Sequence, residues 1–327
     1  MAESLNRNEF LRVLAGGLAA GALPAAEVQT HTYKRVWDCE IRADVHGADG
    51  TRRPVVIWIH GGALILGSRA LRPGQARRIP AITDLFLQAG YVVVSIDYRL
   101  APETKLPAII EDLQDAHKWV REKGPKLFGA DPDRIAVSGG SAGGYLTLMT
   151  GCGVEPRPRA LVSLFGYGDI AGPWYSRPDP FYSRQPAVPK EEAYAAVGSR
   201  ELSEGSGNRG RFYLYCRQQG RWPQEVAGRD PDAEPRWFDR YCPIRNVSAK
   251  YSPTVLIHGD QDTDVPYEQS AAMAKELARH KVPQEFITIP GGGHGFGGYR
   301  DPRVVIGAFE RAVAFVKNQT GTDDERR

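Results

Sequence analysis

The chain has 327 residues, of which 42% are hydrophobic and 25% charged, and its formal net charge is +3 at pH 7. This composition is typical of a globular domain, and the small net charge argues against nucleic acid as a partner, because nucleic-acid binding usually needs a concentrated basic face. No run of about 18 or more consecutive apolar residues is present, so we expect no membrane span.

The four cysteines, at positions 39, 152, 216 and 242, form no CxxC pair, which argues against a zinc or thioredoxin-type site. Isolated buried thiols are the simplest interpretation. If the chain is exported, a pairing of Cys216 with Cys242 stays open.

The N-terminal segment has the charge order of an export signal. Arg7 and Arg12 precede an apolar run of Ala, Gly and Leu that lacks the polar face of a surface helix. The segment resembles a twin-arginine signal in which Asn8 stands in the place of the second arginine. We therefore predict a signal peptide over residues 1–26 and export to the periplasm or the medium. An ordinary N-terminal helix on a cytoplasmic protein is the alternative.

From about residue 33 onward, predicted strands alternate with predicted helices. The segment YKRVWDCEIRADVHG (33–47) predicts one strand near a sheet edge, and the strands after it are continuously apolar, as strands covered on both faces are. This alternation predicts a mostly parallel central sheet with helices on both faces. The further strands are PVVIWIH (54–60), YVVVSIDY (91–98), RIAVSGG (134–140), ALVSLFG (160–166), TVLIHGD (254–260) and EFITIPGGG (285–293), and the helices are PAIIEDLQDAHKWVREKG, YEQSAAMAKELARHK and VVIGAFERAVAFVKNQ.

One interval, 167–250, breaks the alternation between the strand ending near 166 and the strand starting near 254. Only EEAYAAV and RFYLYCRQQGRWP have the pattern of short helices there. So long a connection is usually functional, and we predict a cap or lid over the active-site end of the sheet. Its aromatic and arginine side chains suit either stacking on sugars and aromatic acyl groups or packing of the cap onto the body. They are Trp174, Tyr175, Phe181, Tyr182, Trp222, Trp237 and Phe238, with Arg177, Arg184, Arg211, Arg217, Arg221 and Arg236.

The string VSGGSAGG (137–144) places Ser141 between pairs of glycines, after a predicted strand and before a predicted helix, YLTLMTG. It fits the pattern G-x-S-x-G, in which a sharp strand-to-helix turn exposes the serine hydroxyl and small neighbours let the turn close. The helix N-terminus and the amide of Ala142 would then face a developing oxyanion. We predict that Ser141 is a nucleophile; a serine spacer in a glycine turn is the alternative.

A second oxyanion donor is predicted in HGGA (60–63), directly after the strand PVVIWIH. Glycine lets a backbone amide approach a ligand without side-chain obstruction, so we expect the amides of Gly62 and Ala63 to join that of Ala142. We expect His60 to anchor this loop rather than to act as a base. A plain glycine turn is the alternative.

The base and the acid are expected later in the chain, in the order nucleophile, acid, histidine. IPGGGHGFGG places His294 on a glycine-rich loop after the last predicted strand. LIHGDQDTDVP offers three carboxylates, of which we choose Asp262 to orient the imidazole. Asp260 and Asp264 stay open as alternatives; otherwise they cap the following turn and helix.

The strings HGGA, DYRLAPE (97–103) and GGSAGG and the Asp262/His294 pair occur here in the order found in α/β-hydrolases. From about 33 to 318 the chain resembles the esterase/lipase group of that superfamily, which includes hormone-sensitive-lipase-like carboxylesterases and bacterial feruloyl- or acetyl-esterase-like enzymes. The resemblance implies a serine hydrolase without metal or cofactor. It makes Ser141 the nucleophile, His294 the general base and Asp262 the orienting acid.

Within DYRLAPE, we expect Asp97, Tyr98 and Arg99 to hold loops together rather than to do chemistry. The predicted function is a serine carboxylesterase that hydrolyses short-chain acyl esters through an acyl-enzyme. A carbohydrate esterase acting on decorated polysaccharide, such as an acetyl xylan or feruloyl esterase, is the first alternative. A non-catalytic binding protein on the same fold is the second. The expected partner is a small-molecule or carbohydrate-linked ester.

Overall fold

A computed structural model describes residues 28–71, 80–298 and 301–321. The described residues contain eight strands: β1 (Gln29–Val36), β2 (Cys39–His46), β3 (Arg53–Ile59), β4 (Val92–Ile96), β5 (Ala130–Gly140), β6 (Ala160–Leu164), β7 (Thr254–Gly259) and β8 (Gln284–Ile289). They form one sheet in the order β1-β2-β4-β3-β5-β6-β7-β8. Strand β2 runs antiparallel to β1 and β4, and the other neighbours are parallel, so the predicted sheet is confirmed.

Helices cover both faces of this sheet. Helices α1 and α10 pack on one face of the sheet, against one hydrophobic cluster. Helices α2, α4 and α9 pack on the other face, against a second hydrophobic cluster. None of the helices within the described ranges is long and apolar enough to span a membrane. The predicted signal peptide, residues 1–26, lies outside the described residues and stays a prediction. The helices are α1 (Ile82–Gln88), α2 (Leu106–Glu122), α3 (Gly124–Phe128), α4 (Ala142–Gly153), α5 (Pro173–Ser176), α6 (Lys190–Ala195), α7 (Arg209–Gln219), α8 (Trp222–Ala227), α9 (Glu268–Arg279) and α10 (Pro302–Thr320).

The burial of the strands follows their residue pattern. Every residue of β4, β6 and β7 is buried, as expected for continuous apolar runs covered on both faces. In β2 buried and half-buried residues alternate, because this strand lies one place from the sheet edge. Burial is therefore deepest in the middle of the sheet and lower toward its two edges, where most residues of β1 and β8 are only partly buried or exposed.

The single strand predicted over 33–47 is wrong: the chain reverses at Trp37 and Asp38, and β1 and β2 form a hairpin. Trp37 takes a positive φ of 51° and is 93% exposed. The reversal contains no Gly, Asn or Pro, the usual signals of a tight turn. Because the alternation of apolar residues continues past it, the pattern did not reveal the turn.

The connection from β6 to β7 contains helices α5 to α8 and packs against the body through its aromatic side chains. Tyr175 stacks between Trp174 and Trp222, at ring-centroid distances of 3.7 and 4.1 Å. Trp222 is fully buried, and its Nε1 donates to the carbonyl of Ala63 at 2.9 Å. For these three rings, packing rather than sugar stacking is the interpretation that the structure supports.

The four cysteines are free thiols, and Cys216 and Cys242 form no disulfide with each other. Burial raises the pKa of the Cys152 thiol to about 11 and that of Cys242 to about 12. These residues are therefore small packing side chains, and the interpretation as isolated thiols holds.

The DYRLAPE segment, which follows β4, makes hydrogen bonds to neighbouring loops and to helix α2. The hydroxyl of Tyr98 donates to the carbonyl of His60 at 3.0 Å. Arg99 makes two 2.8 Å hydrogen bonds to the carboxylate of Asp112 on α2, and both side chains are almost wholly buried. Asp97 accepts from the backbone amide of Arg69 at 2.6 Å. These residues hold loops together, as expected.

We predict that Asp112→Ala lowers the free energy of unfolding by about 3–5 kcal/mol, because it leaves the guanidinium of Arg99 buried without its main partner. The matched control is Asp115→Ala on the same helix. Asp115 pairs with Lys34, which also contacts Asp112, but the Asp115 side chain is 47% exposed. We expect a change below about 1 kcal/mol there. Urea unfolding measures both variants, and equal losses would contradict the prediction.

Candidate active site

The carboxyl ends of three strands bring the predicted site residues to one edge of the sheet. Ser141 follows β5, Asp262 follows β7 and His294 follows β8, and these strands run parallel. Parallel strands end at a shared edge, where α/β sheets place their ligands. Ser141 and His294 both line a cavity of about 420 Å³ there. Its other lining residues are Trp58, Gly61, Gly62, Ala63, Leu66, Gly140, Phe165, Tyr213 and Asp264.

Ser141 stands in a strained turn between β5 and α4, with φ 57° and ψ −121°. The turn closes only because Gly143 has no side chain: a Cβ there would lie 2.0 Å from the carbonyl oxygen of Ile59. The Ser141 amide donates to the carbonyl of Leu164 on β6 at 2.9 Å, which holds the turn. Backbone strain of this kind persists where the surroundings enforce it, and it is concentrated at functional sites.

Backbone amides are available near the serine. Ala142 is the first residue of α4, so its amide has no carbonyl partner within that helix. In the loop after β3, the carbonyl of Gly62 accepts from Ile65 and Leu66, at 2.8 and 2.9 Å. Gly62 has φ 104°, and a Cβ there would lie 2.0 Å from the Leu66 carbonyl oxygen. Gly62 and Ala63 line the same cavity as Ser141, and Ala142 follows Ser141 directly in the chain.

The side chain of His60 holds the loop after β3 in place. Its ring stacks on Tyr98 at 4.3 Å, and its Nδ1 lies 2.7 Å from the carbonyl oxygen of Gly61. Burial lowers the pKa of His60 to about 4, so the ring is neutral at pH 7. It does not line the cavity, in agreement with the expected anchoring role.

The carboxylate of Asp262 holds the imidazole of His294. Oδ2 of Asp262 lies 2.8 Å from Nδ1 of His294, and the carboxylate is fully buried. Its Oδ1 accepts from the backbone amides of Asp264 and Val265, at 2.8 and 3.0 Å. Burial alone would raise the pKa of Asp262, but the hydrogen bonds from imidazole and amide groups hold it well below its usual value. Asp262 is therefore ionised throughout the neutral range.

Asp260, one of the two alternatives, has a different partner. Its Oδ1 accepts from the amide of Gly291 at 2.7 Å, in the loop that leads to His294. The residue is exposed and does not line the cavity. Of the three carboxylates, Asp262 alone contacts Nδ1 of the imidazole.

A second imidazole, that of His258, also contacts Asp262. Nε2 of His258 lies 3.2 Å from Oδ2 of Asp262 and 3.1 Å from the carbonyl oxygen of Val265, while its Nδ1 lies 2.7 Å from Oγ of Ser270. Both groups that face Nε2 are acceptors, so Nε2 carries the proton and Nδ1 accepts from the serine. In sequence terms His258 is only a residue near the end of an apolar strand, and its role was not predicted.

Asp264 occupies the cavity wall beside the other nitrogen of His294. Its Oδ1 accepts from the hydroxyl of Tyr213 at 2.5 Å and from Nη1 of Arg217 at 2.7 Å. Its Oδ2 lies 3.4 Å from Nε2 of His294. The side chain of Asp264 therefore does not cap the following turn or helix, which was its alternative interpretation, because Tyr213 and Arg217 of α7 bind its carboxylate.

The electrostatic surroundings of His294 favour its protonated form. Burial lowers its pKa, but the hydrogen bond to Asp262 and the charges of Asp264 and Asp262 outweigh this, so the pKa is raised above its usual value. The ring packs edge-on against Phe165 at 4.8 Å. With Nδ1 on a carboxylate and Nε2 toward the cavity, this imidazole is arranged to exchange protons with a group bound beside Ser141.

No group of three or more His, Cys, Asp or Glu side chains in the ranges that the structure describes is arranged to hold a metal ion.

Comparisons with known proteins identify relatives of this chain. Esterase LipC of Mycobacterium tuberculosis is 29% identical over 280 residues, which cover 81% of this chain and 58% of that protein. The non-reducing polyketide synthase ausA of Aspergillus calidoustus is 27% identical over 358 residues, 89% of this chain and 14% of the synthase. The chain thus spans little more than half of the first relative and a small part of the second.

A solved structure, a truncated form of a carbohydrate esterase from gut microbiota, has the same fold. It superposes with a TM-score of 0.62 at 22% sequence identity and covers 90% of this chain and 97% of its own. A family model described as alpha/beta hydrolase fold matches residues 56–297, which include the loop after β3, the serine turn and the Asp262/His294 pair. The chain belongs to this alpha/beta hydrolase family.

Proposed function

We propose that the protein is a serine carboxylesterase that hydrolyses short-chain acyl esters through Ser141, His294 and Asp262. The observation that carries this proposal is the 2.8 Å contact between Nδ1 of His294 and the buried carboxylate of Asp262, with Ser141 and His294 on one cavity. Family membership and the similarity to a mycobacterial esterase support it.

The proposed reaction has two steps. The hydroxyl of Ser141 attacks the ester carbonyl while Nε2 of His294 takes its proton, and the amides of Gly62, Ala63 and Ala142 hold the oxyanion. The alcohol leaves with the proton from His294. Water, deprotonated by the same imidazole, then releases the acid from the serine. Asp262 stays ionised and keeps the ring in the tautomer with Nδ1 protonated.

The size of the cavity favours small esters. Its volume of about 420 Å³ lies in the lower part of the range of about 300–1,000 Å³ that is usual for ligand pockets. Trp58, Leu66 and Phe165 form its apolar walls. A carbohydrate esterase remains the first alternative. A non-catalytic binding protein is less well supported, because binding alone requires neither a strained serine nor an oriented imidazole.

We expect Ser141→Ala to lower the kcat for p-nitrophenyl acetate by on the order of 10⁶, because no other hydroxyl can form the acyl-enzyme. Ser138→Ala is the matched control: it lies three residues earlier, fully buried in β5, and its hydroxyl has no hydrogen-bond partner in the described structure. That variant should keep its activity. Phenylmethylsulfonyl fluoride should label the wild type at Ser141, as detected by mass spectrometry. Activity retained by a folded Ser141→Ala protein would refute the proposed mechanism.

The pH dependence should report the raised pKa of His294. Only the neutral imidazole accepts a proton, so kcat/KM for p-nitrophenyl acetate should rise with pH and reach half its maximum above about pH 6.5, the usual histidine value. Asp264→Asn removes a negative charge that raises this pKa, so its midpoint should move to lower pH. An unchanged midpoint would show that Asp264 does not influence the titrating group.

Chain-length preference should follow the cavity size. In a series of p-nitrophenyl esters, we expect kcat/KM to be highest for acetate to butyrate and to fall for octanoate and longer chains, since a cavity of about 420 Å³ lies toward the small end of ligand pockets. Acetylated xylan and methyl ferulate test the alternative in the same assay. A higher kcat/KM for either than for the short aliphatic esters would favour a carbohydrate esterase.

A further inference from the structure

The cavity contains a carboxylate that the proposed two-step reaction does not use. Asp264 lies two residues after Asp262 and lines the cavity together with Ser141 and His294. The hydrogen bonds from Tyr213 and from Arg217 both end on Oδ1, and the hydroxyl of Tyr182 also interacts with this carboxylate. Its other oxygen, Oδ2, is therefore the one turned toward the imidazole, 3.4 Å from Nε2.

The position of this carboxylate is fixed by buried partners. The side chain of Arg217 is only 1% exposed and bridges Asp264 to Asp179, whose Oδ2 lies 2.6 Å from Nη2. The guanidinium also lies over the rings of Tyr175 and Tyr182, at 5.0 and 4.8 Å. A guanidinium held in this way keeps one carboxylate oxygen bound and leaves the other pointing in a fixed direction.

The rest of the cavity offers few acceptors. Trp58, Leu66 and Phe165 are apolar, and the backbone amides of the loop after β3 are donors. The hydroxyl of Tyr213 donates to Asp264. Apart from the groups that perform the reaction, Oδ2 of Asp264 is therefore the charged acceptor among the residues that line this cavity.

We propose that Asp264 is a specificity-determining residue whose Oδ2 accepts a hydrogen bond from a free hydroxyl of the substrate alcohol, so that the favoured substrates are esters of diols and polyols. This inference rests on the proposed esterase function. It identifies the alcohol portion of the ester as the part that is recognised.

The geometry assigns this hydroxyl to the alcohol and not to the acyl group. The leaving oxygen must come within about 3 Å of Nε2 of His294 to take its proton. Because Oδ2 of Asp264 lies 3.4 Å from the same nitrogen, the leaving oxygen lies at most about 6.4 Å from Oδ2. A hydroxyl on the alcohol carbon next to the one that bears the leaving oxygen therefore fits between the leaving oxygen and Oδ2 of Asp264. The acyl carbonyl, in contrast, is held at the amides beside Ser141.

The test uses two acetates that differ at one end: 2-hydroxyethyl acetate and propyl acetate, in which a methyl group replaces the hydroxyl. The measured quantity is the ratio of their kcat/KM values. In Asp264→Asn the amide oxygen still accepts from Tyr213 and Arg217, but a donor replaces Oδ2. We expect the ratio to fall by about ten-fold or more, as for the loss of a hydrogen bond to a charged group.

The ratio separates recognition from catalysis. Any effect of Asp264→Asn on the pKa of His294 or on folding acts on both acetates and cancels, and turnover of propyl acetate shows that the variant is folded. Asp179→Asn is the matched control, since it disturbs the same Arg217 but Asp179 does not line the cavity. Its ratio should equal that of the wild type.

Three results would overturn the inference. The first is an equal ratio in the wild type and Asp264→Asn, and the second is an equal fall in Asp179→Asn. The third is a preference for acetylcholine over 2-hydroxyethyl acetate, which would assign the carboxylate to a cation. In each of these cases the esterase function stands. If the folded wild type hydrolyses neither acetate, the proposed function itself fails.

Discussion

The arrangement of the candidate site depends on one buried carboxylate, that of Asp262. A carboxylate removed from water tends to take up a proton unless donors compensate it, and Asp262 has two backbone amides on one oxygen and two imidazoles on the other. Its ionised form requires that His294 present Nδ1–H to it. The second nitrogen of that ring therefore faces the cavity as the atom that exchanges protons. His258 also donates to Asp262, because the two acceptors around its Nε2 favour the tautomer in which that nitrogen carries the proton.

The β6–β7 connection forms part of the cavity wall. Trp222 donates to the carbonyl of Ala63, and Nε of Arg209 donates to that of Ile65 at 2.6 Å, so the connection holds the loop that carries the predicted oxyanion amides. On the other side, α7 supplies Tyr213 and Arg217 to Asp264. A single inserted segment thus contacts the groups expected at the oxyanion and at the leaving alcohol. This makes it the natural place for differences in specificity among proteins of this fold.

The sheet was predictable because its strands are buried on both faces. Continuous apolar runs such as those of β4 and β7 admit few other structures, and each predicted run agrees with a strand to within a few residues. The hairpin at Trp37 was missed because its one turn-forming residue, Asp38, is not followed by the glycine that marks a tight two-residue turn. Helix α1, with seven residues, is too short for its apolar spacing to establish a period.

The sequence by itself determined the local features of the site: a serine in a turn that only glycines permit, a glycine loop after a strand, and a histidine and an aspartate after the last two strands. Each follows from backbone sterics or from the rule that parallel strands end at one edge. Only the tertiary structure decided which carboxylate meets which nitrogen of His294 and that His258 shares Asp262. It also decided that Tyr213 and Arg217, about 50 residues from Asp264 in the chain, fix the orientation of that side chain. Such contacts arise from the packing of a long irregular connection, whose path is not encoded in any local periodicity.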